Sequence, residues 1–342
     1  MDSIKWYIEN RPIYKRLAYK IESILAEIFE IEGIPFHMIQ SRAKDIDSFS
    51  NKITGDKYSN PIEEVQDFAG IRVVTYVEDE VKKVCELIEK IFKIDNGNSS
   101  DKSESLGIDK VGYKSVHYVC YLKSDRLKLP ENEQFKDRCF EIQVRTILQH
   151  AWAEIEHDRN YKFAGILPKE INRRFKLLAG TLELADREFN NIASDIDKIS
   201  NIVKTETKKG NFDIKINSTS FSEYIKNRFK KIQKSIKIFD LQNDNIVTEL
   251  NSFGIFTLQE FENIIPADFE NQYLKEHKDN NEKWAVGFVR AILIISDYDK
   301  YFKNCHTDWA RWSKKGDGLG LFTHYNIDWN AIEDKYNVTF MK

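Results

Sequence analysis

The chain has 342 residues but only four cysteines, Cys85, Cys120, Cys139 and Cys305, with no CxxC pair and no regular spacing. This argues against a disulfide framework and against a cysteine zinc site, and it reads as a cytoplasmic protein with reduced thiols. Long apolar runs are lacking too. The longest near the C-terminus, AVGFVRAILIIS (285–296), is too short for a bilayer span and carries Arg290, so a buried helix is expected there. The N-terminus lacks the basic start, apolar middle and small-residue cleavage site of a secretory signal, so export is not expected. A surplus of positive charge is absent: the formal net charge is −3, so bulk charge does not indicate a nonspecific polyanion binder. Missing as well are a Walker P-loop, a Rossmann glycine fingerprint and a G-x-S-x-G nucleophile elbow.

What is present is enough chain for two domains, and 41% hydrophobic with 31% charged residues allows both a core and a solvated surface. Leu17, Ile21, Ile24, Leu25, Ile28 and Phe29 mark a first amphipathic helix that ends near Gly33 and Pro35. GIRVVTYV (70–77) reads as a strand followed by a helix with Val81, Val84, Leu87, Ile88 and Ile91 in register. This alternation predicts an α/β layer with a mixed sheet flanked by helices. Residues 94–109, rich in Gly, Ser, Asn and Asp, read as a loop, and VGYKSVHYVCYL (111–122) as the next strand. From Ile171 to Ile199 apolar residues alternate steps of four and three. Such a heptad seam suits a homo-oligomer or docking helix, or a long helix packed along its own domain. The division expected is a first domain over 1–203, a polar linker over 204–212 and a mainly helical domain over 213–342. In the last, residues 245–265 read as a helix, a turn at Gly254 and a second helix opened by Thr257 with Glu260 in capping-box spacing. Its basic and tryptophan-containing stretches, among them Arg228, Lys230 and Trp309, are of a kind that meets RNA, although a solvated helix face is the better account of the first group.

The chemistry-bearing residues gather in the first half. In FEIQVRT (140–146) Phe140, Ile142 and Val144 share one face of a strand, and Glu141, Gln143 and Arg145 the other. The polarity then shifts to helical spacing, with Leu148, Ala151, Trp152 and Ile155 in one row and His150, Glu154, His157 and Tyr161 in another. Glu154 and His157 make the E-x-x-H spacing of di-iron bundles, but no second such motif exists. Asp67 just before GIRVV and Glu141 on the later strand would share a magnesium ion if those strands are neighbours. Arg42, Lys44, Lys52 and Arg72 form a candidate triphosphate clamp, and Tyr113 after Gly112 offers an aromatic platform.

Four segments in order, SRAKDIDSFSNK, VQDFAGIRVV, VGYKSVH and EIQVRTILQHAWAEIEHDRNYK, resemble the synthetase domain of the RelA/SpoT alarmone family over about residues 40 to 162. The resemblance implies a nucleotidyltransferase-like fold and a GTP/GDP pyrophosphokinase that moves the β,γ-pyrophosphate of ATP to a ribose 3′-hydroxyl, making (p)ppGpp and releasing AMP. It assigns Asp67 and Glu141 to Mg²⁺, with Glu141 also the base, and Arg42, Lys44, Ser48, Lys52 and Arg72 to ATP. Tyr113, Lys114, His117, Gln143, Arg145 and His150 would meet the acceptor nucleotide. Asp109 and Val111 stand where the family often has Lys and Asn or Ser, so the acceptor stays open: relatives that modify the tRNA 3′ end or make adenosine alarmones, restrained by the C-terminal region, are the alternative. A noncatalytic nucleotide-binding regulator is the reading from another class. Because the motifs begin near residue 40, no upstream hydrolase domain is expected, and the HD doublet His157–Asp158 lies inside the synthetase signature.

Overall fold

The first amphipathic stretch forms helix α1, Ser3–Glu32, with Asp2 accepting the Ile4 N–H at its start and Gly33 at φ 65° closing its end. A computed structural model describes residues 2–54, 58–101, 115–162, 168–233, 245–276, 285–305, 311–313, 319–328, 332, 335–336 and 339–341. It divides the chain into two compact units, Met1–Ala193 and Ser194–Lys342.

After α1 come β1 (Met38–Ala43), α2 (Ile46–Ile53), α3 (Pro61–Glu64), β2 (Ala69–Thr75) and α4 (Glu78–Ile91). Then follow the short strands β3 (Lys93–Ile94) and β4 (Ser100–Asp101), β5 (Val116–Tyr121), α5 (Ser124–Leu127) and β6 (Phe140–Thr146). The sheet order is β1-β2-β6-β5-β3, with β4 also on β5; β2 and β6 are parallel and the other pairs antiparallel. The expected mixed sheet is therefore present. Ile71, Val73, Phe140, Ile142 and Val144 are buried with Leu17, Ile21, Leu25 and Phe29 of α1 and Val84 and Ile88 of α4 in one core. Period-two alternation leaves the opposite face of β2 and β6 to polar side chains.

One expectation is corrected. Residues 94–109 do not begin as a loop: Ile94 pairs with Cys120, and Ser100 and Asp101 pair with His117 and Val116. The edge of β5 would otherwise carry unmet backbone groups, and the polar residues read as loop formers instead build the turn between the two short strands. There the Asp95 carboxylate accepts the Gly97 N–H at 3.1 Å, and Ser99 Oγ accepts the Val119 N–H at 3.0 Å.

Helix α6 (Ile147–Lys162) and helix α7 (Lys169–Lys208) make polar contacts to the sheet and its helices while several of their apolar positions stay exposed. On α6 the apolar positions Ala151 and Ile155 are exposed, whereas Glu154 turns to arginines of the sheet. On α7, Asp186 accepts from Thr146 Oγ1 at 2.6 Å, and Asn190 Oδ1 accepts the Asp79 N–H at 2.8 Å. Its heptad positions Leu178, Phe189, Ile192, Ile196 and Ile199 are exposed. Residues 204–208, within the segment read as a linker, are the last turn of this helix.

The second unit is mainly helical. Phe221, Tyr224, Phe229, Phe261, Phe269, Phe288 and Tyr301 form its buried core. The apolar run expected to be a buried helix lies in Ala285–Asn304, and Arg290 within it is neutralised by Glu249. Gly254 at φ 83° and Thr257, whose hydroxyl accepts the Glu260 N–H, form the expected turn and cap. Among the described residues no helix is long and apolar enough to cross a membrane.

Candidate active site

Strand register assembles the site. Gln40, Arg72, Gln143 and His117 stand opposite one another across β1, β2, β6 and β5, and two residues along lies the row Arg42, Gly70, Glu141, Val119. Both rows share the face turned away from the core. Gly70 contributes no side chain between Arg42 and Glu141, and a pocket of about 110 Å³ opens there, lined by Gln40, Arg42, Asp67, Arg72, Glu141 and Gln143.

Asp67 sits just before β2 and holds two lysines: Lys44 Nζ lies 2.6 Å from Oδ2 and Lys52 Nζ 2.9 Å from Oδ1. Lys44 is fixed by its backbone. Its N–H donates to the Phe68 carbonyl at 3.0 Å, and its own carbonyl accepts from Tyr7 Oη at 2.6 Å and Arg11 Nε at 3.0 Å. Burial beneath this loop pushes the Tyr7 phenol up to about 12. Lys52 comes from α2, which buries Phe49 and so orients the helix. Burial would raise the Asp67 carboxyl, but the two lysines outweigh it and hold it below the usual range.

Glu141 is held by different means. His117 Nδ1 lies 2.8 Å from Oε1, and Gln143 Nε2 donates to Oε2 at 3.1 Å. Burial pushes this carboxyl up, yet the hydrogen bond and charge of His117 leave it below the usual glutamate value. An ionised carboxylate only accepts, so Nδ1 carries a hydrogen, and the other ring nitrogen lies 2.7 Å from Ser115 Oγ.

A third carboxylate meets the first row at Arg72. Glu154 Oε1 lies 2.8 Å from Arg72, 3.7 Å from Arg145 and 3.7 Å from His150 Nδ1. Burial, then the nearby Arg145 and Arg72 charges, push His150 below the ordinary histidine value, so the ring is neutral at neutral pH.

Of the residues singled out from sequence, Arg42, Asp67, Arg72, Glu141 and Gln143 line one pocket, and Lys44 and Lys52 reach it through Asp67. His117 is placed on Glu141, while buried Arg145 and His150 gather around Glu154. Ser48 is exposed on α2, one turn before Lys52. Tyr113 and Lys114 lie outside the described residues. Sequence reasoning passed over Gln40, Ser115 and Glu154 as site residues. Gln40 was available from alternation, two positions before Arg42, whereas the reach of Glu154 back to β2 needs the helix direction.

Residues 41–165 match the model of the region found in RelA/SpoT proteins. Every residue lining the pocket except Gln40 falls within that matched stretch. GTP pyrophosphokinase YjbM of Bacillus subtilis is 27% identical over 205 residues, 58% of this chain and 93% of that protein. GTP pyrophosphokinase YwaC of the same organism is 26% identical over 222 residues, 58% of this chain and 97% of that one. The crystal structure of small alarmone synthetase 1 from Bacillus subtilis overlaps 57% of this chain and 98% of its own length, at 25% identity and a TM-score of 0.48.

Proposed function

We propose that this chain is a GTP/GDP pyrophosphokinase that makes (p)ppGpp from ATP and a guanine nucleotide. The observation that carries the reading is the single pocket in which two ionised carboxylates, Asp67 and Glu141, face Arg42 and Arg72. The two relatives named GTP pyrophosphokinase support it. In the reaction the acceptor 3′-oxygen bonds to the β-phosphorus of ATP, the bond from that phosphorus to the α,β-bridging oxygen breaks, and AMP leaves.

Arg42, Lys44, Lys52 and Arg72 would hold the donor phosphates and screen their repulsion from the acceptor. Glu141, ionised and fixed at both oxygens, would take the hydroxyl proton. Asp67 and Glu141 suit Mg²⁺, which accepts one or two carboxylates and completes its shell with phosphate oxygens and water. Bound there, the ion would neutralise charge on the transferred group. His117 and Gln143 would keep Glu141 aimed at the acceptor ribose.

The test offers purified protein, Mg²⁺ and γ-labelled ATP the acceptors GDP, GTP, ATP and deacylated tRNA separately, with Glu141→Gln as the blank. Label should reach guanine nucleotide and fall by about 10³-fold or more in the variant. Label reaching only tRNA or adenine nucleotide would replace the acceptor, and no transfer at all would reject the enzyme reading.

A further inference from the structure

Glu154 belongs to none of the roles above, yet one of its oxygens is the meeting point of Arg72, Arg145 and His150. Arg72 also lines the pocket with Asp67 and Glu141. We propose that Glu154 is an internal counter-ion that occupies Arg72 in the nucleotide-free site and yields it to the donor's phosphates, thereby setting the affinity for the polyphosphate. The proposal rests on the reading of this pocket as an ATP site.

Two observations and one general argument support exchange over a fixed structural pair. The Glu154 side chain is 55% exposed whereas Arg72 is 22% exposed, so the carboxylate can return to water at little cost while the guanidinium stays at the pocket. A phosphate chain carries more charge than one carboxylate and takes arginine's paired N–H groups equally well, so it displaces Glu154. The start of α6 is secured independently: the Thr146 N–H donates to Gln149 Oε1 at 3.0 Å, and the Gln149 N–H donates to Thr146 Oγ1 at 3.2 Å. The helix does not depend on Glu154 for its seat at the end of β6. Before substrate arrives, Glu154 pairs with Arg72 and limits the repulsion between Arg72 and Arg145. When it leaves, its charge is replaced by the ligand's.

Glu154 is thus a positioning residue, and its effect falls on binding. The experiment measures calorimetric binding of α,β-methylene ATP with Mg²⁺, without acceptor, to the full chain, and follows the thermal midpoint of each variant. Glu154→Gln should bind about fivefold more tightly than the wild type, the size of a partly exposed ion pair. Glu154→Asp, which keeps the charge but shortens its reach, should fall between them. In an Arg72→Ala background Glu154→Gln should change nothing, and in turnover it should lower the KM for ATP without raising kcat. Equal or weaker binding by Glu154→Gln at an unchanged midpoint overturns the proposal, as does the same tightening without Arg72, which would mark a bulk charge effect. If the wild type does not bind the analogue, the ATP reading falls together with it; if it binds and Glu154→Gln does not differ, only this proposal falls.

Discussion

The β1–β2 side of the pocket and the β6–β5 side solve the same electrostatic problem differently. On the first, cations and carboxylates neutralise one another: Lys44 and Lys52 on Asp67, Arg72 on Glu154. On the second, Glu141 is clamped by His117 and by the neutral Gln143, with Ser115 behind the histidine. Ion pairs across a partly open site can change partners when a polyanion and its metal arrive, because each charge finds a replacement. Glu141 is held by hydrogen bonds from side chains of the sheet, His117 and Gln143, and keeps one orientation, as the proposed base must. The contrast suits a donor side that exchanges partners and an acceptor side that holds still.

Asp67→Asn should break this contrast most severely. It removes a ligand proposed for Mg²⁺ and leaves Lys44 and Lys52 without their carboxylate, so pyrophosphate transfer should fall by about 10²- to 10³-fold. Because both lysines are then released, calorimetry without Mg²⁺ should find tripolyphosphate bound more tightly than by the wild type. Loss of binding as well as of transfer would mean that Asp67 shapes the lysine loop instead of competing with the phosphates.

His117→Ala should be next, about tenfold in kcat, as expected when a hydrogen-bond partner behind a reacting group is removed. Its sign in pH is fixed by the causes acting on Glu141. Burial raises that carboxyl and His117 lowers it, with the net result below the ordinary 4.5. The proposed base of the wild type is therefore mostly ionised above 4.5, and the midpoint of its acid limb should lie below that value. Without His117 burial acts against less opposition, the Glu141 value rises, and the acid limb of a rate profile should move upward in pH. A profile that falls uniformly instead would assign His117 to contact with the acceptor.

Much of this was legible because it follows a period. The rows Glu141-Gln143-Arg145 and Phe140-Ile142-Val144 need only strand alternation, and the cap at Thr257 needs only a hydroxyl three residues before Glu260. That Asp67 and Glu141 meet required β2 and β6 to be neighbours, which no local pattern states. Helices α6 and α7 were harder still. Their apolar spacing left open what covers their apolar faces, and in the structure Ile155, Phe189 and Ile192 are exposed while Glu154, Asp186 and Asn190 make the polar contacts. Periodicity finds an apolar face but does not say what covers it. The β3–β4 turn was misread for a related reason: polar composition describes a turn and an edge strand equally well until the partner strand is known.

Ser115→Ala should have the smallest effect and is the finest probe of the rigid side. Ser115 is buried, and its hydroxyl meets the His117 nitrogen that does not face Glu141. Nδ1 donates to Glu141 and the second nitrogen meets the serine hydroxyl, so serine helps fix the orientation of the ring. Removing it deletes one hydrogen bond, but the charge-assisted bond to Glu141 still holds the ring in place. The expected cost is about threefold in kcat, with the KM values for both nucleotides unchanged and the acid limb unmoved. A loss as large as that of His117→Ala would show that the orientation of Glu141 depends on the whole chain of contacts from Ser115 onward, making the acceptor side a single coupled unit.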